Sequence, residues 1–475
     1  MVKKNNMARS KKQIVYDRLV IEKISSEGAG ITYVNDKVVF VDRAVPGDEC
    51  SATVYQKRKN FEKAKIDELF VKSDMRQDPF CRYYGICGGC KLQHLKYEEQ
   101  ARYKQQSVYD AFERVAKVEV KEIFPILACE QTRHYRNKME YTFSNRRWLS
   151  QEEVDSDVKM SRNGLGLHVP GGFSKVVTLE ECFLPNEVSD RIRNFTKAFC
   201  TENKMKFYDL LEQNGLMRNL VIRTTTTGEV MVLVIFFEND EEKINLLMNE
   251  LTDSFPEITS LNYIINEKRN DSYPELDVVN VAGKPYMIEV LGDYKFKIRP
   301  KSFFQTNSLQ AKNLYDVVKD FADLKKTDVV YDLYSGVGSI GLYLSGECKK
   351  IVGIEIVDQA VEDAIENAAL NNVKNAAFHL GDVNDLLNED FIAEHGKPTV
   401  LVTDPPRAGM HPDVIKAILE AAVPKMVYIS CNPGTQARDI NLLSEKYNVE
   451  KIRPVDMFPQ TTHIENVALL TIKNS

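Results

Sequence analysis

The stretch Val329–Ser339 reads Val-Val-Tyr-Asp-Leu-Tyr-Ser-Gly-Val-Gly-Ser, which predicts a buried strand running into a glycine-rich turn. Two further strand-like runs follow: Ile351–Ile354, which precedes Glu355, and Ala376–Leu380, which precedes Gly-Asp. Asp358 is placed to cap a helix between them. Repeated strand–helix units predict a parallel, doubly wound sheet whose ligands bind at the carboxyl ends of its strands.

Polar groups at those strand ends indicate a nucleotide-like ligand. Gly336 and Gly338 let a ligand approach the backbone, although a tight turn alone would also explain them. Glu355 can accept both hydroxyls of a ribose, a feature that dinucleotide enzymes share. Asp332 and Asp382 are placed to meet a methionine amino group and an adenine. This combination favours S-adenosylmethionine over NAD.

A second informative stretch, Val427–Thr435, reads Val-Tyr-Ile-Ser-Cys-Asn-Pro-Gly-Thr. Its strand-forming residues lead into Cys431, and Asn-Pro-Gly then turns the chain. We expect Thr403–Arg407 and His463–Asn466 to meet the same edge of the sheet. Cys431 is therefore interpreted as a nucleophile, with an inert buried thiol as the alternative.

The N-terminal part has a different pattern. Short strands separated by turns over residues 14–72 predict a small β-barrel of the OB type, a fold that often binds single-stranded nucleic acid. Cations surround Phe61 as in a phosphate-tracking groove, although a structural barrel with a solvated rim would show the same pattern. Before the barrel, residues 1–13 form a basic tail with Lys3, Lys4, Arg9, Lys11 and Lys12.

Clustered cysteines after the barrel predict a metal site. Cys81, Cys87 and Cys90 form an open loop with two glycines, and one ligand is missing. Cys182 is the best candidate for the fourth ligand and Cys129 is the alternative. Thiolates of this kind bind tetrahedral zinc or an iron–sulfur cluster.

Residues 73–297 alternate helical and strand patterns and predict a mixed α/β central domain. Leu95–Val118 is an amphipathic helix that can pack on the C-terminal domain, and Leu220–Phe237 is a hairpin. The segment from about Trp148 to Lys159 is acidic and is expected to be a loop. A basic patch supplies candidates for RNA phosphate and base contacts, with a solvated strand edge as the alternative: Arg133, Arg136 and Lys138.

Composition sets broad limits on the protein. Its 475 residues predict two or three domains, and no apolar run is long enough to span a bilayer. The net charge of −6 does not indicate a nucleic-acid-binding protein, but a local basic face can still bind phosphate. Nine cysteines and no secretory signal argue against a disulfide framework and for a cytoplasmic protein, which we expect to be a monomer.

Four C-terminal motifs resemble those of the RNA uracil-C5 methyltransferases. They are Asp332–Gly338, Asp404–Arg407, Ser430–Pro433 and His463–Ala468. The resemblance extends to the family's TRAM domain over residues 14–72. The cysteine loop resembles the cluster site of members that methylate 23S ribosomal RNA. The resemblance to this family implies a Rossmann-like methyltransferase domain over residues 298–475, with S-adenosylmethionine as the donor. It also implies a 4Fe–4S cluster, with zinc as the alternative, and 23S ribosomal RNA as the partner.

The resemblance also assigns roles to residues. Because uracil C5 is a poor nucleophile, Cys431 would add to C6, and Glu465 would later remove the C5 proton. Asp404 would bond the uracil edge and also belong to the donor-binding site, and Gln305 would contact the donor or the base. Tyr334 belongs to the donor motif, as does Ser339, where the ribosomal enzymes often have asparagine. Ser335 is a second departure, since many members have cysteine there.

Three other functions are alternatives to a ribosomal RNA uracil-C5 methyltransferase. A transfer-RNA uracil methyltransferase would carry the same C-terminal motifs. A non-catalytic RNA-binding protein would be expected to have lost Asp404, Cys431 or Glu465. The barrel and the basic patch count against a small-molecule or DNA methyltransferase.

Overall fold

The computed structural model describes residues 14–156, 158 and 160–473. The predicted basic tail, residues 1–13, lies outside the described residues. The chain divides into two compact units. The first contains the residues up to Gly85 together with Cys90–Tyr103 and Gln460–Thr462, and the second contains Ile86–Gly89, Lys104–Pro459 and the residues from His463 onward.

The first unit is built on a six-stranded sheet with the order β1-β5-β6-β4-β3-β2. Its strands are β1 (Val15–Val20), β2 (Lys23–Ile24), β3 (Gly30–Val34), β4 (Lys37–Asp42), β5 (Glu49–Lys57) and β6 (Phe61–Val71). Alternate residues such as Val39, Val41 and Ala52 face a small apolar core, as period-two patterning requires. Short strands with turns are therefore present as expected, while closure into an OB-like barrel stays a prediction.

A long helix and a short strand follow. Helix α1 (Tyr97–Ala111) continues into a π-helical turn, Phe112–Ala116, and β7 (Val120–Ile123) comes next. In the second unit, Val108 and Phe112 pack in a core that contains Tyr428 and Leu443 of the C-terminal sheet region.

The central part of the second unit is a seven-stranded sheet with the order β10-β9-β8-β11-β12-β13-β14. Its strands are β8 (Lys138–Ser144), β9 (Gly164–Val169), β10 (Gly172–Thr178), β11 (Met217–Thr224), β12 (Val230–Phe236), β13 (Ile258–Ile265) and β14 (Val279–Gly283). Its helices are α2 (Gln151–Asp155), α3 (Glu187–Glu202) and α4 (Glu241–Ser254). Strands β11 and β12 form the predicted hairpin.

Helix α2 corrects the expectation of a plain loop between Trp148 and Lys159. The Ser150 side chain accepts from the Glu153 amide, and the Glu153 carboxylate accepts from the Ser150 amide. This reciprocal capping box satisfies two N-terminal donors and starts a short helix despite the acidic composition.

The C-terminal part begins with a hairpin, β15 (Met287–Leu291) and β16 (Tyr294–Ile298), and helix α5 (Ser308–Ala322). The strands that follow are β17 (Val329–Leu333), β18 (Lys350–Glu355), β19 (Ala376–Leu380), β20 (Val400–Thr403), β21 (Lys425–Ser430), β22 (Tyr447–Val455) and β23 (Glu465–Ile472). The helices are α6 (Ser339–Leu344), which runs into a 3₁₀ turn at Ser345–Glu347, α7 (Asp358–Leu370), α8 (Val383–Leu386), α9 (Glu389–His395), α10 (Pro412–Ala421) and α11 (Pro433–Leu443).

These strands, joined by β7, form an eight-stranded sheet with the order β19-β18-β17-β20-β21-β23-β22-β7. Strands β19, β18, β17, β20 and β21 run parallel, and β23 is antiparallel to β21. The chain leaves β17 toward β18 on one side and returns to β20 on the other, which makes the carboxyl end of β17 a topological switch point. The predicted doubly wound sheet is present. Asp358 is the first residue of α7 rather than its cap, because the cap position falls at Val357.

A buried ion pair anchors the loop between β22 and β23. The Lys104 ammonium lies 2.6 Å from the Asp456 carboxylate, and both side chains are fully buried. The same ammonium donates to the carbonyl of Phe458 at 3.0 Å. Removing one member of such a pair leaves an uncompensated buried charge, which costs about 3–5 kcal/mol.

Candidate active site

The carboxyl end of β17 carries a buried acid beside the glycine turn. The Asp332 carboxylate accepts from the Gly341 amide at 2.9 Å and is 1% exposed. The pKa of Asp332 is raised to about 7, mainly by burial and in smaller part by the negative charges of Asp404 and Glu355. The acids of three neighbouring strand ends therefore share one electrostatic environment, as parallel topology requires.

Glu355 at the end of β18 is held by the backbone. Its carboxylate accepts from the amides of Gly336, Ile356 and Val357, each at 2.9 Å. These bonds fix the carboxylate against the glycine turn. The side chains of Ile356 and Val357 are exposed beside it and leave an apolar surface for a ligand.

The two glycines of the turn serve different purposes. A Cβ atom on Gly336 would meet no heavy atom within 4 Å, so its backbone is open to a ligand. A Cβ atom on Gly338 would lie 2.8 Å from the Phe378 ring, so close packing explains this glycine. Both have positive φ, as does Tyr334 at 62°. A non-glycine residue there is uncommon and marks a constrained turn.

The remaining residues predicted to bind the donor are Ser339, Asp382 and Gln305. The Ser339 hydroxyl is hydrogen-bonded to the Tyr315 hydroxyl at 2.8 Å. Asp382 is exposed, caps α8 by accepting from the Asn384 amide at 2.9 Å, and raises the pKa of Tyr334. Gln305 lies in a segment whose carbonyls accept from Asn137, including a side-chain bond to the Gln305 carbonyl at 3.0 Å.

Cys431 sits at a corner built by local polar bonds. Strand β21 ends at Ser430, and Asn432 caps α11 by accepting from the Gly434 amide at 3.1 Å, with Pro433 in the first turn. The Asn432 amide group and the Thr435 hydroxyl each donate to the carbonyl of Arg407 at 3.2 Å. The corner and the Asp-Pro-Pro-Arg segment are thus one structural unit.

The register of β21 and β23 places the expected base beside the thiol. Ser430 pairs with Asn466 in the antiparallel ladder, so the next position brings Cys431 opposite Glu465. Gln436 of α11 locks this pairing, because its amide donates to the carbonyls of Tyr428 and Asn466 and accepts from the Asn466 side chain at 2.8 Å.

The electrostatics of this group are unusual. The pKa of the Cys431 thiol is raised to about 11, mainly by burial and in smaller part by Glu465 and Asp404, while Arg407 acts in the opposite direction. Burial raises the pKa of Asp404 to about 7 and that of Glu465 well above its ordinary range. Within the described part of the chain, Glu465 Oε2 has no hydrogen-bond partner although Glu465 is 5% exposed. Perturbed groups gathered in this way are typical of catalytic sites.

Two residues of the quoted motifs gain a contact that the sequence did not reveal. The Arg407 guanidinium lies 3.4 Å from His463 Nδ1, and both side chains are exposed at the corner. The Phe458 ring lies 6.3 Å from the His463 ring. Because these residues come from separate loops, the motif spacing alone could not predict this cationic and aromatic rim.

No metal centre is evident in the part of the chain that the structure describes, since no group of three or more His, Cys, Asp or Glu side chains is arranged to hold an ion there. Cys81, Cys87 and Cys90 are half-buried and Cys182 is buried. The Cys129 thiol donates to the Gln131 carbonyl at 3.2 Å and accepts from Asn307 at 3.6 Å.

The structure thus combines a switch-point sheet that carries acids at adjacent strand ends with a cysteine opposite a buried glutamate. Residues 212–473 match the family model for tRNA (uracil-5-)-methyltransferases. The chain belongs to this family, so it is a SAM-dependent RNA uracil-C5 methyltransferase by class. The resemblance drawn from the four motifs is thereby confirmed.

Known relatives and a solved structure agree with this assignment. An RNA methyltransferase of Bacteroides thetaiotaomicron is 48% identical over 95% of this chain and 100% of its own length. One from Chlorobaculum tepidum is 39% identical over 89% of each chain. The Pyrococcus abyssi tRNA (uracil-54, C5)-methyltransferase, solved with S-adenosyl-L-homocysteine, has a TM-score of 0.74 and 28% identity, covering 96% of this chain and 99% of that one. Among the described residues, no helix has the length and apolarity to cross a membrane.

The charges around Cys431 predict opposite effects of two substitutions on its reactivity. The thiolate is the reactive form, and its pKa lies above neutral pH, so alkylation by iodoacetamide should accelerate as the pH rises. Glu465→Gln removes a negative neighbour, lowers the thiol pKa and should speed alkylation at mildly alkaline pH roughly three- to tenfold. Arg407→Met should slow it.

The rate is read from the Cys431 peptide by mass spectrometry, with Glu389→Gln, an exposed acid in α9, as the matched control. Equal rates in Glu465→Gln and the control would contradict the electrostatic coupling of Glu465 and Cys431.

Proposed function

We propose that the protein methylates C5 of a specific uridine in 23S ribosomal RNA through a covalent bond between Cys431 and C6, acting as a cytoplasmic monomer. The observation that carries this proposal is the position of Cys431 opposite Glu465, with Asp404 close enough to perturb both. Methylation of an exocyclic amine needs neither a thiol nor a base in this arrangement.

The side chains divide the chemistry between them. The Cys431 thiolate adds to C6 of uracil, which makes C5 enolate-like and nucleophilic. S-adenosylmethionine supplies the methyl group that C5 accepts. Glu465 then removes the proton from C5, and the electron pair of that C–H bond restores the C5–C6 double bond and expels the thiolate.

The raised pKa values suit these roles. A carboxylate whose pKa is well above its ordinary value is a stronger base once it is ionised, which favours removal of the C5 proton by Glu465. Asp404 has a pKa near 7 and can therefore be protonated, so it can donate a hydrogen bond to a uracil carbonyl. Arg407 stabilises the thiolate against these acids.

The donor would be held at the switch point. We assign Asp332 to its amino group, Glu355 to its ribose, and Asp382, Tyr334 and Ser339 to its flanks. Gly336 gives it access to the backbone, and Gln305 contacts the donor or the base. The target uridine must leave its stack, because C6 cannot be reached inside a helix.

Two substitutions separate the steps of this mechanism. Cys431→Ala should abolish methylation, because no adduct can form. Glu465→Gln should form the adduct but release it slowly, because the C5 proton stays in place. The expected result is an RNA–protein band resistant to denaturation in Glu465→Gln and its absence in Cys431→Ala.

Cys348→Ala, which removes a buried cysteine of the same domain, is the matched control and should behave as the unaltered protein. Undiminished turnover in Cys431→Ala would exclude the covalent mechanism.

The choice of RNA rests on the cysteine loop and the N-terminal strands, which resemble the ribosomal enzymes. A transfer-RNA uridine is the second candidate, because the similar Pyrococcus abyssi enzyme is named for a tRNA. In RNA from a strain that lacks this protein, mass mapping should show 5-methyluridine missing from 23S ribosomal RNA and retained in tRNA. Loss from tRNA alone would favour the second candidate.

The remaining assignments are proposals from the sequence. We propose that Cys81, Cys87, Cys90 and Cys182 hold a 4Fe–4S cluster, with zinc as the alternative, and that residues 14–72 form a TRAM domain. We also propose that Arg133, Arg136 and Lys138 contact RNA. Iron in an anaerobic preparation, lost in Cys87→Ser, would support the cluster, and zinc or no metal would contradict it.

A further inference from the structure

One buried cation of the central sheet differs from the others. Three other cations of the second unit are fully buried, and each forms an ion pair with an aspartate: Lys104, Arg193 and Arg218. Arg223 in β11 is 4% exposed, yet among the described residues it forms no ion pair with a carboxylate. It donates to the Ser302 carbonyl at 2.6 Å, and its Nε has no partner within the described part of the chain.

A second cation lies directly across the ladder. Arg223 pairs with Lys138 of β8, so their side chains share one face of the sheet. The pKa of Lys138 is lowered to about 8, mainly by burial and in smaller part by the charges of Arg223 and Arg136. Glu140, two positions along β8, attracts both cations but forms no ion pair with either among the described residues. Like charges placed directly opposite in a sheet are destabilising.

The pair lies beside the segment that carries Gln305. Arg223 bonds the Ser302 carbonyl, and Asn137, next to Lys138, bonds the carbonyls of Gln305 and Thr306. The side chain of Phe303 in this segment is 69% exposed. The cations are therefore close to a surface that a ligand can reach.

A row of contacts connects the pair to the nucleophile corner. Arg136 donates to the Lys138 carbonyl at 3.0 Å, and its guanidinium lies 5.9 Å from the centre of the Phe458 ring. Phe458 adjoins His463, which adjoins Arg407 at the Cys431 corner. Cations alternating with aromatic rings match the backbone and bases of a single-stranded nucleic acid.

We propose that Lys138 and Arg223 bind a phosphodiester oxygen of the substrate RNA near the target uridine, an inference that rests on the proposed function. A phosphate would supply the direct ion-pair partner that neither cation has among the described residues, where Glu140 attracts both without pairing with either, and charge-assisted bonds to phosphate are strong. The carboxylate of the methyl donor has similar chemistry. The row of contacts leads to Cys431 rather than to the glycine turn, which favours the RNA.

The test measures RNA affinity as a function of salt without any methyl donor. Lys138→Met should weaken binding of a uridine-containing single-stranded oligonucleotide about tenfold at low salt. It should also reduce the slope of log affinity against log salt by about 0.7, the value for one lost phosphate contact. Lys138→Arg, which keeps the positive charge, should show the RNA affinity and the salt slope of the unaltered protein. Lys243→Met, which removes an exposed ion-paired lysine of α4, is the matched control.

Thermal melting separates binding from folding. Because Lys138→Met removes a like-charge contact, its melting temperature should equal or exceed that of the unaltered protein. A folded variant with unchanged RNA affinity and slope would overturn the proposal. A calorimetric loss of S-adenosylmethionine affinity without RNA would assign the pair to the donor and also overturn it.

Different results test the proposed function and this inference. It fails if the unaltered protein forms no 5-methyluridine, a result that the binding measurements do not affect. Arg223→Met, which keeps the volume but not the charge, provides a second variant with the same expected change in slope.

Discussion

Three acidic side chains are buried at one edge of the sheet, and the rest of the site depends on this burial. Asp332, Asp404 and Glu465 stand near the carboxyl ends or at the start of neighbouring strands, and each has a raised pKa. A cluster of this kind is costly unless something compensates it. Arg407 compensates part of it, and a bound donor with a positive sulfonium and ammonium would compensate more. Burial and the same negative charge raise the pKa of the Cys431 thiol, which favours its protonated form at neutral pH.

The framework holds these groups through hydrogen bonds that no single motif contains. Antiparallel β23 sets Glu465 opposite Cys431, and Gln436 fixes that register from α11. Backbone amides aim Glu355 at the glycine turn in the same way. Rigid placement of this kind is what general acid–base chemistry requires, because the proton must move over hydrogen-bonding distance.

Local patterns in the sequence predicted the parallel sheet, the central hairpin and the residues at the strand ends, because each depends on a short run of residues. Features that depend on distant pairing were missed. The opposition of Lys138 and Arg223 requires the β8–β11 register, and the packing of Gly338 against Phe378 requires the neighbouring strands. The acidic composition around Glu152 predicts a loop, whereas Ser150 and Glu153 form a capping box that starts helix α2. The cysteine spacing predicted a cluster, and no metal-binding group is evident among the described residues.

The most direct test of the central claim follows the hydrogen on C5. RNA labelled with tritium at uracil C5 is incubated with the protein and S-adenosylmethionine, and tritium in water is counted alongside methyl groups in RNA. One tritium should be released for each methyl group transferred, because Glu465 must remove the C5 proton before the Cys431 bond breaks. Methyl transfer without tritium release would place the methyl group on another atom and contradict the account.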